Sequence, residues 1–234
     1  MCGTDGQQSN SDIAVVRHPE AVTESSLQPR GPDPILLERR AAELKRAFAG
    51  PDSELEVDDR ERTLVVVDVQ PGFLNTRQEA FLQSTEGLVF AARARGWPII
   101  FLEYVGRFGP TYTRLLKVVE GYEHRSKRVT KDRWSGAREV AKTCASYGFG
   151  RQIFRVCGVY TDQCVAATVS ELALDFPASL VEVVPAACRS FVQAYKGADN
   201  DFWDSFPLEE NIRLIPEEPH VYEAADASLA AVAA

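Results

Sequence analysis

From residue 62 onward the chain alternates short, uniformly apolar runs with longer stretches whose apolar residues recur every three or four positions. The runs at 64–67, 99–102, 153–157, 180–184 and 212–215, with a shorter one at 128–130, read as strands. The stretches at 81–96, 111–120, 137–147 and 164–175 read as helices. Most of the strands are β-branched and almost wholly apolar, which suits parallel strands buried on both faces. Regular alternation with helices then predicts an α/β fold: a doubly wound, mostly parallel sheet of about six strands with helices on both faces, a Rossmann-like three-layer arrangement. No internal repeat is visible.

The first 60 residues follow a different pattern. They hold five of the 13 prolines and carry seven Lys and Arg against twelve Asp and Glu. Residues 1–32 are rich in Gly, Gln, Ser and Pro without sustained periodicity, and read as a flexible arm. Asp33-Pro34 resembles a capped helix start. Leu37, Ala41, Leu44 and Phe48 then recur at helical spacing, predicting an amphipathic helix over 34–49 that must bury its one apolar stripe, on the main domain or in a subunit contact. The main domain is expected over 61–223, and the Ala-rich tail at 224–234 is expected to fray.

Composition narrows the function. With 26 Lys and Arg against 34 Asp and Glu, the net charge of −8 supplies no basic face for nucleic acid or an anionic membrane. No apolar run approaches the roughly 18 residues a bilayer requires. The five cysteines (2, 144, 157, 164 and 188) form no CxxC pair. No signal-peptide pattern precedes them, so they are expected to be reduced thiols in a cytoplasmic protein. The histidines, His18, His124 and His220, have no metal-ligand spacing. Neither a metal nor a cofactor is expected.

In an open parallel sheet, ligands bind beyond the carboxyl ends of the strands. Three reactive side chains fall there. Asp68 follows Val65-Val66-Val67, where a buried carboxylate is costly unless paired or catalytic; a turn or capping role is the other reading. Cys164 follows the strand ending at Gly158 and opens a helix, where backbone N–H groups and the helix dipole lower a thiol's pKa; buried packing is the other reading. Lys131 leaves a strand towards the same edge and could pair with Asp68, although it could equally be solvated, and Lys127 and Lys117 compete for the role.

Three segments, VVVDVQPGF (65–73), VTKDRWSG (129–136) and CGVYTDQCVAATVSEL (157–172), resemble in this order the isochorismatase-like cysteine hydrolase superfamily, which includes nicotinamidases, N-carbamoylsarcosine amidohydrolases and isochorismatases. The resemblance extends over about 62–216. It implies an Asp-Lys-Cys triad of Asp68, Lys131 and Cys164. It also implies a cis peptide at Val159–Tyr160, which would turn the Tyr160 N–H, with that of Cys164, into an oxyanion hole. Phe73, Trp134 and Tyr160 would line the substrate pocket.

The implied activity is cleavage of a small amide, ureide or carbamoyl C–N bond through a thioester, in a homo-oligomer (dimer or tetramer) acting on a small molecule. Nicotinamidases carry an Asp-x-His and a further His after the second strand to bind a metal. Here 101–108 reads FLEYVGRF, with no histidine. Glu103 there, and Arg189 after the fifth strand, are candidate substrate contacts. Cys164 favours amide chemistry over enol-ether hydrolysis of the isochorismatase kind, which needs only acid–base groups. A catalytically silent interaction protein of the same fold is the remaining alternative.

Overall fold

The computed structural model describes residues 61–191 and 206–215, with Asp58 and Trp203. The arm at 1–32, the helix at 34–49 and the tail at 224–234 lie outside the described residues.

Among these residues, six strands form one sheet: β1 (Arg62–Val67), β2 (Ile99–Tyr104), β3 (Ser126–Lys131), β4 (Ile153–Val159), β5 (Leu180–Arg189) and β6 (Ile212–Leu214). Every pairing is parallel, and the spatial order is β3-β2-β1-β4-β5-β6. Helices α1 (Glu79–Ala94), α2 (Thr113–Val118), α3 (Ala137–Tyr147) and α4 (Ala166–Asp175) connect them, with a 3₁₀ turn at Leu74–Arg77 and a π-helical turn at Thr161–Val165. Right-handed crossovers send α1 and α2 to one face and α3 and α4 to the other. The contacts agree: α1 packs on α2, whereas α3 packs on α4. The doubly wound α/β sheet predicted from the alternation is therefore present, and it is wholly parallel.

The pattern follows burial. β1 is buried from Thr63 to Val67, and Leu64, Val65, Ile99, Ile100, Phe154 and Val156 form the centre of the core. β3 is an edge strand paired only with β2, and its SKRVTK sequence is correspondingly half-exposed, except for Lys131. β5 runs five residues beyond the apolar run that predicted it, so Arg189 ends the strand rather than following it. No helix among the described residues is long and apolar enough to cross a membrane.

The chain reverses its winding direction between β1 and β4, which makes their carboxyl ends the topological switch point. There the two strands approach so closely that a Cβ on Gly158 would lie 2.0 Å from the Val67 carbonyl oxygen. Gly158 also has φ 129°, outside the range that L-residues favour.

Candidate active site

Asp68 leaves the end of β1 in the left-handed region, at φ 54°. A non-glycine residue there costs of order 1–3 kcal/mol and has to be held by its surroundings. Its N–H donates to the Leu102 carbonyl at 3.0 Å, and its own carbonyl accepts from the Gln70 N–H at 2.8 Å. This turn aims the carboxylate into the protein, where Lys131 Nζ lies 2.8 Å from Asp68 Oδ2 with both side chains wholly buried. The other two ammonium protons go to the carbonyls of Arg133 (3.1 Å) and Trp134 (3.0 Å), because the chain after β3 folds back over its own lysine. Gly136 allows that fold: a Cβ there would meet Leu102 Cδ1 at 2.3 Å and the Lys131 side chain at 3.1 Å.

Cys164 sits in the π-helical turn ahead of α4, not at the first residue of an α-helix. π-turns are rare and recur at functional sites. The Gln163 and Val165 N–H groups both donate to the Tyr160 carbonyl, at 3.0 and 3.1 Å, tying the turn together. The peptide bond Val159–Tyr160 is cis. The Cys164 thiol is buried, and the Asp68 carboxylate and the Lys131 ammonium lie near enough to act on its ionisation. Asp68, Lys131 and Cys164, 96 residues apart at their extremes, thus meet at the carboxyl edge of the sheet.

The electrostatics differ from the expectation drawn from a helix start. Burial, and after it the neighbouring Asp68 carboxylate, push the Cys164 thiol up to about 12, against the pull of Lys131. Desolvation and a like charge outweigh the dipole. Burial likewise raises the Asp68 carboxyl above its ordinary value, opposed chiefly by the charge of Lys131. The buried thiol thus favours its protonated form beside the Asp68–Lys131 pair.

Aromatic rings surround this centre. Phe73 stacks on Phe108 (centroids 4.3 Å apart) and meets Tyr160 edge-on at 5.5 Å, while Tyr160 meets Phe191 at 5.2 Å. Phe73 and Tyr160 are buried, whereas Trp134 is 59% exposed and reaches the centre through its carbonyl. Glu103 accepts from the Thr111 N–H (2.8 Å) and hydroxyl (2.7 Å) and from Arg128 Nε (2.9 Å). The Arg189 guanidinium donates to the carbonyls of Ala186 and Cys188 and to Gln78 Oε1. Both side chains are thus engaged by the protein's own groups. The motifs pass over Tyr104, Phe108 and Phe191; the signal available for them is position, since Tyr104 ends β2, Phe108 follows it and Phe191 follows β5, while Gln70 lies inside the first motif with no role of its own there. Among the described residues, no group of three or more His, Cys, Asp or Glu could hold a metal ion.

The isochorismatase-domain family model matches residues 62–182, just over half of the chain. The chain belongs to the isochorismatase family. Solved structures share the fold of this isochorismatase-family chain at low identity. The YcaC gene product of Escherichia coli, described as an octameric hydrolase of unknown specificity, is 18% identical with a TM-score of 0.55, over 71% of this chain and 80% of its own. The pyrazinamidase/nicotinamidase of Streptococcus mutans is 16% identical with a TM-score of 0.51, over 66% and 99%. YcaC from Pseudomonas aeruginosa, solved with hexane-2,5-diol and covalent acrylamide, is 19% identical with a TM-score of 0.50, over 77% of each chain. No curated protein matches.

Proposed function

We propose that this isochorismatase-family protein is a cysteine-dependent amidohydrolase that cleaves a small amide, ureide or carbamoyl C–N bond through a thioester. The observation that carries the reading is the buried contact of the Cys164 thiol with the Asp68–Lys131 pair. A thiol held neutral is a poor nucleophile until a base takes its proton, and the neighbouring Asp68 carboxylate is the base at hand.

In the proposed cycle Asp68 accepts the thiol proton as sulfur bonds to the substrate carbonyl carbon. Lys131 keeps the carboxylate in place and offsets the negative charge. The Tyr160 and Cys164 N–H groups form the oxyanion hole for the tetrahedral intermediate. Its collapse breaks the C–N bond, and protonated Asp68 passes the proton to the departing nitrogen, releasing ammonia or an amine. Water then gives a proton to Asp68 and attacks the thioester carbonyl; the C–S bond breaks, the acid leaves, and the proton returns to sulfur.

Phe73 and Tyr160 suit a planar substrate, with Trp134 at the rim. Cysteine chemistry of this kind suits a reducing, cytoplasmic setting. With an octamer among the related folds, we further propose a homo-oligomer, to be read by light scattering.

The test is ammonia or amine release across a panel of primary amides, ureido acids and N-carbamoyl compounds, comparing wild type with Cys164→Ala. The variant should lose turnover, and intact-protein mass spectrometry of quenched wild type should show an acyl adduct on the peptide containing Cys164. Wild-type rates in Cys164→Ala would end the reading. Hydrolysis of an enol ether by that variant would favour isochorismatase-type chemistry instead.

A further inference from the structure

Lys131 reaches Asp68 across the end of an intervening strand. β2 lies between β3 and β1, which at ordinary sheet spacing separates their backbones by about 10 Å. The register partner of Lys131 on β2 is Tyr104. The ammonium carries three protons, and three oxygens meet it: Asp68 Oδ2 and the carbonyls of Arg133 and Trp134. The Tyr104 ring faces it as well, with Nζ 4.7 Å from the ring centroid. That is within cation–π range of a head group from which water is excluded.

The ring is itself held. The Tyr104 N–H donates to Gln70 Oε1 at 2.8 Å, and the Tyr104 carbonyl accepts from Gln70 Nε2 at 3.2 Å. Gln70 is buried, and its Nε2 also donates to the Gly109 carbonyl. It lies two residues after Asp68, so one short segment presents the carboxylate and fixes the residue beside the ammonium. The Tyr104 ring also meets Phe108 edge-on at 5.6 Å.

We propose that Tyr104 is a positioning residue: its π face, set in place by Gln70, seats the Lys131 head group against Asp68. A four-carbon side chain spanning a strand has several rotamers, and the ring selects the one that completes the ion pair. An aliphatic side chain would fill the same space without attracting the ammonium, which distinguishes this role from packing. The kinetic consequence rests on the amidohydrolase reading; the seat itself does not.

Two measurements test it together. In the first, with an amide that the wild type hydrolyses, Tyr104→Leu should lower kcat about ten- to thirty-fold, the factor a desolvated cation–π contact represents, with KM little changed. Tyr104→Phe, which keeps the ring, should restore most of that loss. In the second, urea unfolding follows Tyr104→Leu with Lys131 present and in the Lys131→Met background. The midpoint should fall clearly in the first background and much less in the second. Equal falls in both backgrounds overturn the proposal whatever the activity, and so does a Tyr104→Phe variant as impaired as Tyr104→Leu. A wild type that turns over no amide while the unfolding coupling persists removes the amidohydrolase reading and leaves the seat standing.

Discussion

Lys131 Nζ rests 2.8 Å from Asp68 Oδ2, and neither side chain has any solvent exposure. Removing one partner of such a pair strands the other, at a cost of about 3–5 kcal/mol. The two removals should not be equal. Burial already pushes the Asp68 carboxyl up, so without Lys131 it can take up a proton and become neutral. In Asp68→Asn the ammonium keeps its charge and its two carbonyl partners. Asp68→Asn is therefore expected to destabilise more than Lys131→Met at pH 7, and the double variant to recover much of the loss. Urea unfolding of the four proteins checks this; simple additivity of the single losses would contradict it.

Stability should also fall at alkaline pH. Burial, the leading cause in each case, pushes Cys144 up to about 11 and Cys164 and Cys188 up to about 12 from an ordinary 9.0. A group whose pKa is raised on folding stabilises the fold fully below its unfolded value, and that contribution is lost as pH climbs through the folded value. From pH 9 upward the unfolded chain sheds these protons while the folded chain keeps them. Each thiol then removes up to about 1.4 kcal/mol of stability per pH unit. Urea midpoints at pH 8, 9 and 10 should decline, and Cys188→Ala should shallow the slope. A flat profile would mean that the thiols ionise freely in the folded protein.

The sheet was legible because parallel strands buried on both faces are apolar at nearly every position, as Leu64–Val67 and Ile99–Leu102 are. Edges and irregularities were less so. β3 is polar because only one side of it is paired. The β5 run breaks at Pro185, yet the strand continues to Arg189 past a shift in its register with β4 between Val156 and Gly158. At the site, the positions of Asp68, Lys131 and Cys164 at strand ends could be read, and with them a possible pairing of Lys131 with Asp68, but the choice of Lys131 over Lys127 and Lys117 and the grouping with Cys164 came from the resemblance, since no local rule joins an edge strand to one two places away. The acidity of Cys164 was misjudged because the local rule about helix starts ignores what burial beside a carboxylate does. Tyr104 carried no motif, and its partnership with Gln70 exists only in three dimensions.

Glu103 provides a test on the acid side. Burial opposes its ionisation, but the hydrogen bonds from Arg128 and from the Thr111 N–H and hydroxyl prevail and hold its carboxyl below the ordinary 4.5. With a lowered folded pKa, its contribution is present above the unfolded value and lost as pH falls through the folded one. Since Arg128 is half-exposed, Glu103→Gln should cost only about 1 kcal/mol at pH 7. That difference from wild type should close on acidification below the ordinary carboxylate range. The variant should also raise KM, because Glu103 anchors at Thr111 the connection that carries Phe108 onto Phe73. A stability gap unchanged at low pH would show that the carboxylate charge is not what holds Thr111.

Gly158 is where fold and site are least separable. Its absent Cβ would lie 2.0 Å from the Val67 carbonyl oxygen and 2.8 Å from the Val67 nitrogen and carbonyl carbon, all rigid backbone of the neighbouring strand. Because φ is 129°, an alanine would be strained even with room to spare. Overpacking of this kind costs about 1–3 kcal/mol, and an unfavourable backbone conformation adds about 1–3 kcal/mol. The strands can yield only by separating between Val67 and Gly158, one residue before Asp68 and two before Tyr160. Gly158→Ala should therefore lower the thermal midpoint markedly and, in whatever fraction folds, abolish turnover. Gly121→Ala is the control, since it has positive φ but nothing within 4 Å of its added Cβ. It should lose some stability and keep its activity. If Gly158→Ala proved no worse than Gly121→Ala, β1 and β4 would not be pressed together at the point where the candidate site begins.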